Sequence, residues 1–180
     1  MPPFAQPVPA SPVAVIVMGV SGCGKSTLGA LLAEALDCPF LEGDSFHSAE
    51  AIEKMRGGQP LTDEDRWPWL DRLGQALADA VVTHGVAVAA CSALRKGYRD
   101  RLLTAVGGHA RFILLDNSRE ELLARLKNRP GHYMPASLLD SQLETLEQPL
   151  GEEPAITLVT DAPPTTLRDA ALDWLRNGGC

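Results

Sequence analysis

What the chain lacks narrows the field before any motif is read. No stretch approaches the ~18 consecutive apolar residues of a membrane span. The N-terminus does not show the basic-then-apolar order of a secretory signal, and a cytoplasmic location is expected. Basic charge is scarce: 16 Lys and Arg face 23 Asp and Glu, for a formal net charge of −7. That balance leaves no broad basic face for nucleic acid or an anionic membrane, so neither is expected as a partner. Cys23, Cys38, Cys91 and Cys180 have no CxxC spacing, which argues for free thiols over a disulfide framework. No His/Cys cluster has the spacing of a zinc site. Any anion this acidic chain binds must be held by a few local groups.

Such a group is present. Gly19, Val20, Ser21, Gly22, Cys23, Gly24, Lys25 and Ser26 fit G-x-x-x-x-G-K-[ST]. They follow the apolar run 13–18 and lead into a helical pattern from Thr27 to Leu36, the strand, loop and helix context that a phosphate-binding loop requires. Gly22 and Gly24 let the backbone curl until successive N–H groups point inward, and the helix N-terminus adds partial positive charge. Lys25 is expected on the β- and γ-phosphates of ATP, and the Ser26 hydroxyl on Mg2+. Cys23, beside those donors, is expected to be a reactive thiol protected by ATP.

With 180 residues and 45% hydrophobic content, one domain over 13–180 is expected. Residues 1–12 hold five prolines and no charge and read as a loose leader. Strands are expected at 13–18, 39–43, 86–91, 112–115 and 156–159. Helices are expected at 27–36, 48–56, from Thr62 to about Val81, and at 98–106, 118–128, 137–147 and 167–176. Thr62 with Asp65, and Ser118 with Glu121, have capping-box spacing. Alternating strand and helix without internal repeat calls for an α/β three-layer sandwich, a mostly parallel five-stranded sheet with helices on both faces.

The loop alone does not separate kinases, GTPase switches and motors. No N-K-x-D run follows a strand, and the D-x-x-G match at Asp71–Gly74 falls inside a helical pattern. Asp44 directly follows strand two, where a carboxylate could take the proton of an attacking hydroxyl, hold magnesium through water, or merely cap the next helix. Ser92, Lys96, Tyr98 and Arg99 follow strand three in the same way. Lys96 and Arg99 could hold a substrate carboxylate or be a solvated helix start. Trp67 and Trp69 read as core or helix-docking residues. The segment 125–137 carries Arg125, Lys127, Arg129 and His132 around Pro130-Gly131, and is expected to be a basic lid over the nucleotide.

The runs Met18–Gly22, Gly43–His47, Ile52–Met55, Gly58–Arg66, Pro68–Leu70, Cys91–Leu94, Tyr98–Asp100, Arg129–His132 and Ser141–Glu147 together resemble the signature of bacterial gluconokinases from about residue 14 to 160. The resemblance implies ATP-dependent phosphorylation of D-gluconate at its 6-hydroxyl, on a fold similar to shikimate and nucleoside-monophosphate kinases, and the family suggests a homodimer. The chain departs from the pattern at Ala51, where the family usually has Asn. Gluconate offers one carboxylate and five hydroxyls, so its pocket should pair a cation with neutral and acidic hydrogen-bonding groups. Asp44, His47, Arg66, Ser92, Lys96, Arg99 and His132 supply that mixture. Arg66 is the first choice for the carboxylate, against an ion pair with Asp63 or Glu64. Lys25, Asp44 and Arg129 are the catalytic candidates, and Gly19 to Thr27 with Arg125 the nucleotide-binding ones. The competing readings are a kinase for shikimate or adenylylsulfate and a non-enzymatic ATP-binding module.

Overall fold

In a computed structural model that describes residues 11–128 and 136–178, the apolar runs become β1 (Val13–Met18), β2 (Phe40–Glu42), β3 (Val86–Ala90), β4 (Ala110–Asp116) and β5 (Ala155–Val159). They lie in the order β2-β3-β1-β4-β5. Every pairing is parallel, where the sequence allowed a mixed sheet. Helices α1 (Lys25–Leu36), α2 (Ala49–Arg56), α3 (Asp63–His84), α4 (Lys96–Ala105), α5 (Arg119–Lys127), α6 (Ala136–Thr145) and α7 (Pro164–Arg176) make the connections. Arg129, His132, most of the expected lid and leader residues 1–10 lie outside the described residues.

The period of two along each strand sorts side chains to opposite faces. Val13, Val15 and Val17 of β1, with Val86 and Val88 of β3 and Ile113 and Leu115 of β4, pack under α1 and α7. Ala14, Ile16 and Met18, with Ala87, Ala89, Phe112 and Leu114, pack under α3 and α4. All six residues of β1 are buried, which is why the central strand reads as an unbroken apolar run. The larger of these side chains, Val13, Val15, Ile16, Val17 and Met18, each contribute about 1.5–3 kcal/mol by leaving water, so β1 is a rigid base for the loop that follows it.

Helix starts explain most boundary differences. Thr62 and Asp65 form the complete reciprocal box at the start of α3. At α5 only half forms: Ser118 accepts the Glu121 N–H, while the Glu121 carboxylate turns to Arg125 at 2.8 Å. Helix α4 begins at Lys96, ahead of the expected Tyr98, because Glu147 from beyond α6 accepts the Lys96 N–H at 3.0 Å.

Arg99 corrects one expectation. Its side chain is 1% exposed, and its guanidinium donates to both carboxylate oxygens of Glu153 (2.7 and 3.2 Å) and to the carbonyls of Ala93 and Leu94. Four of its five N–H donors are thus engaged, and it lines neither cleft of the candidate active site; it ties the loop before β5 to α4. Burial alone would raise the Glu153 carboxyl, but the bonds from Arg99 and from the Leu150 N–H outweigh it and hold it below the ordinary carboxylate range. Its stabilising contribution is therefore present at neutral pH and is lost as pH falls through that depressed value. Glu153→Gln should leave Arg99 buried without a counter-ion, lowering stability by about 3 kcal/mol and Tm by roughly 6–12 °C at neutral pH. An unchanged melting curve would contradict this.

Candidate active site

The loop from Gly19 to Gly24 leaves β1 at its carboxyl end. There the chain's connections reverse direction across the sheet, the position at which parallel α/β sheets bind ligands. Gly22 and Gly24 take φ of +83° and +100°, a region that only glycine enters without strain. Gly24 in that conformation immediately precedes α1, so Lys25, Ser26 and Thr27 form its first turn. Gly22, Gly24, Lys25, Ser26 and Thr27 line a cavity of about 240 Å³ at that helix N-terminus. Arg125 reaches over from α5, donating to the Cys23 carbonyl at 3.2 Å and lining the same cavity.

Val20 and Cys23 point the other way, into the core beneath α1. Cys23 is 1% exposed, and its Sγ lies so close beneath Gly19 that a Cβ there would meet it at 2.8 Å. The loop thus uses the backbone of Val20 and Cys23 and hides their side chains. The expected reactive, ATP-protected thiol is corrected accordingly: the sulfur is inside. Cys91 is likewise buried, which pushes its thiol up to about 12.

Glu42, the last residue of β2, accepts a hydrogen bond from the Ser26 hydroxyl at 2.5 Å, and Asp44 lines the same cavity. A hydroxyl and carboxylates beside a phosphate cradle are hard oxygen donors that fit Mg2+, which keeps waters and substrate phosphates in its shell instead of a full protein cage. Among the described residues no group of three or more His, Cys, Asp or Glu could hold a metal.

A second cleft, of about 360 Å³, opens beside the first. His47, Arg66, Trp69 and Ser92 line it, together with Ile52, Met55 and Arg56 from α2. Asp44 sits in a 3-10 turn (Gly43–Phe46) right after β2; Ser48, not Asp44, caps α2. The Asp44 side chain is 80% exposed at the cleft. That turn presses on β3 so tightly that a Cβ at Gly43 would lie 2.2 Å from the Ala90 carbonyl oxygen. Trp69 fixes it from the other side by donating from Nε1 to the Gly43 carbonyl at 2.7 Å.

His47 stacks on Trp69 with ring centroids 4.1 Å apart, and its Nε2 is 3.8 Å from Asp44 Oδ1. Burial pushes its imidazole below the usual range although Asp44 pulls the other way. Its Nδ1 is buried without a hydrogen-bond partner among the described residues.

Arg66 donates from Nη1 to the Tyr98 hydroxyl at 2.9 Å, and that hydroxyl donates to Asp63 Oδ1 at 2.5 Å. Asp63 also lies 3.9 Å from Arg66, so the ion pair weighed against a substrate role is present while Arg66 still lines the cleft. Burial and the bond to Asp63 hold the Tyr98 hydroxyl above its ordinary range, so it remains a donor. Lys96 is not in the cleft: it pairs with Asp100 at 2.8 Å, the i,i+4 partner its own helix supplies. Ala51 is 3% exposed and does not line the cleft either, so the departure from the resembled pattern is not in its wall. Trp69 is both core and cleft wall, while Trp67 packs edge-on to Tyr98 and beneath Arg101.

Three residues went unread in the sequence. Glu42 looked like the end of a strand and Arg56 like the end of a helix, while Gln142 stood inside the run Ser141–Glu147 of the resembled signature without a role of its own. Gln142 accepts the Ser21 N–H at 2.7 Å from 121 residues away, and only tertiary structure brings them together. For Glu42 the signal was available: it stands two residues before Asp44 at the same strand end.

Comparisons with known proteins converge. The shikimate kinase family profile matches residues 21–170. A gluconokinase of Gluconobacter oxydans is 48% identical over 142 residues, 79% of either chain. The thermosensitive gluconokinase of Escherichia coli is 44% identical over 144 residues, 80% of this chain and 76% of that one. A crystal structure of a gluconokinase from Sinorhizobium meliloti superposes with a TM-score of 0.84 at 44% identity, covering 93% of this chain and 94% of its own. Shikimate kinase from Aquifex aeolicus, at 17% identity and a TM-score of 0.56, shares the fold alone. A phosphate loop on a five-stranded parallel sheet, with matches of this extent, places the chain in the shikimate kinase family, among its gluconokinases.

Proposed function

We infer that this protein transfers the γ-phosphoryl group of ATP to the 6-hydroxyl of D-gluconate, giving 6-phospho-D-gluconate and ADP. The observation that carries this reading is that the two clefts meet at three shared residues, Ser21, Lys25 and Asp44. A donor site and an acceptor site that share a cation and a carboxylate are arranged for direct transfer between them.

In this reading the loop amides and Lys25 grip the β- and γ-phosphates, with Arg125 closing over the loop. Mg2+, held by Ser26 and by Glu42 through water, would neutralise charge on the phosphates. Asp44 accepts the proton of the 6-hydroxyl as that oxygen attacks, the γ-phosphorus–oxygen bond to ADP breaks, and the leaving charge stays on ADP. Arg66 takes the gluconate carboxylate as a bidentate fork, with Tyr98 as its positioning residue, and His47 and Ser92 serve the hydroxyls. Arg129 and His132 belong to the proposed lid at 125–137, whose closing would keep water from the phosphoryl group. The likeness to gluconokinases and the acidic charge suit a cytoplasmic enzyme acting on a small metabolite.

ADP release measured with gluconate, shikimate and adenylylsulfate tests the reading directly; turnover confined to either of the last two would overturn it. Lys25→Ala should cost about a hundredfold or more in kcat/KM, the value of a charge aimed at the transferring group. Near-normal turnover would remove Lys25 from that role. Asp44→Asn should lower kcat far more than it raises the KM for gluconate, and a change confined to KM would make Asp44 a binding residue only. Tyr98→Phe frees Arg66 from its anchor, so the KM for gluconate should rise roughly three- to tenfold with the KM for ATP unchanged. A rise in both would show a general loss of structure instead.

A further inference from the structure

One contact in the site is not explained by either cleft alone. The main-chain N–H of Ser21, within the phosphate loop, donates to the side-chain oxygen of Gln142 at 2.7 Å. Gln142 lies on α6 and lines the larger cleft, and Ser21 lines both. Because the Ser21 nitrogen can only donate, the amide must present Oε1 to it, which leaves Nε2 with its donors; Nε2 has no partner among the described residues. Lys25 shows the same inward economy, its Nζ donating to the Val20 carbonyl at 3.0 Å. The Ser21 N–H and the Lys25 ammonium are thus both bonded to the protein's own neutral oxygens.

An N–H has one hydrogen to give. Gln142 Oε1 and a phosphate oxygen therefore compete for Ser21, and the phosphate gains the stronger, charge-assisted bond. The released amide remains in the wall of the acceptor cleft, where a polyol brings hydroxyl donors for Oε1 and acceptors for Nε2. We propose that Gln142 couples the two sites: it occupies the Ser21 N–H while the acceptor cleft is empty, and acceptor hydroxyls draw it off so that the triphosphate can take that donor. Gluconate then tightens the triphosphate, and the triphosphate tightens gluconate by the same factor, since coupling between binding sites is reciprocal. Both the identity of the acceptor and the seating of the triphosphate on the loop rest on the proposed function.

The test is calorimetric titration of the Mg2+ complex of the β,γ-imido analogue of ATP into wild type, Gln142→Ala and Gln142→Glu, each with and without saturating D-gluconate. In wild type, gluconate should tighten the analogue by roughly three- to tenfold, the worth of one hydrogen bond released from competition. Gln142→Ala removes the competitor, so the analogue should bind tighter than to wild type without gluconate, and the gluconate effect should vanish. Gln142→Glu keeps an acceptor on Ser21 and adds negative charge beside the phosphates, so the analogue should bind more weakly than to wild type. These opposite signs separate coupling from a structural role, in which both variants would weaken binding. Equal or weaker binding to Gln142→Ala, or a gluconate effect that survives in it, overturns the proposal. Absence of gluconate-dependent ADP release in wild type would instead overturn the acceptor assignment, while the two variants without gluconate still decide the competition.

Discussion

The curl of the loop from Gly19 to Gly24 at the N-terminus of α1, which in the proposed function has to gather a triphosphate in an acidic protein, is the constraint that the rest of the molecule serves. The formal charge of −7 offers no attraction at long range. The loop must therefore be rigid before ligand arrives, and rigidity comes from the fully buried β1 on one side and the first turn of α1 on the other. Val20 and Cys23 anchor it from below by facing the core, and Leu122 and Leu126 of α5 pack beneath Gly22.

The acceptor side has a different architecture. No single element supplies it; the turn after β2, the start of α3, the end of β3 and α6 each contribute a side chain. Such a site depends on the struts between elements: Trp69 on the Gly43 carbonyl, Tyr98 between Arg66 and Asp63, Arg99 on Glu153. In each of these three struts a polar group is satisfied by a specific partner, so losing that partner costs more than the bond itself. That explains why a kinase with an ordinary nucleotide cradle needs so many buried polar contacts behind its second cleft.

The parts legible in the sequence were those set by neighbours along the chain. The phosphate loop, the five strands and the Thr62 cap follow from spacing over a few residues, and all of them formed. Asp44 could be placed because a strand end fixes where the next residue emerges. Arg99 could not, because the Glu153 that takes its charge lies 54 positions later and carries no local mark. Lys96 misled for the opposite reason: its partner Asp100 was one turn away, and the helix face settled the pairing before any substrate could. Cys23 was read from the loop's electrostatics alone, whereas the same curl that turns the amides inward turns this side chain into the core.

The proposed function reduces to one arrangement, with a nucleotide's phosphates on Gly22 to Thr27 and a sugar acid between Asp44 and Arg66, joined at Lys25. A crystal structure of the protein with Mg2+, the β,γ-imido analogue of ATP and D-gluconate tests it most directly. The account predicts the 6-hydroxyl beside the Asp44 carboxylate and facing the γ-phosphorus, with the gluconate carboxylate on Arg66. Gluconate bound with its carboxylate toward Asp44 and its 6-hydroxyl remote from the triphosphate would contradict it.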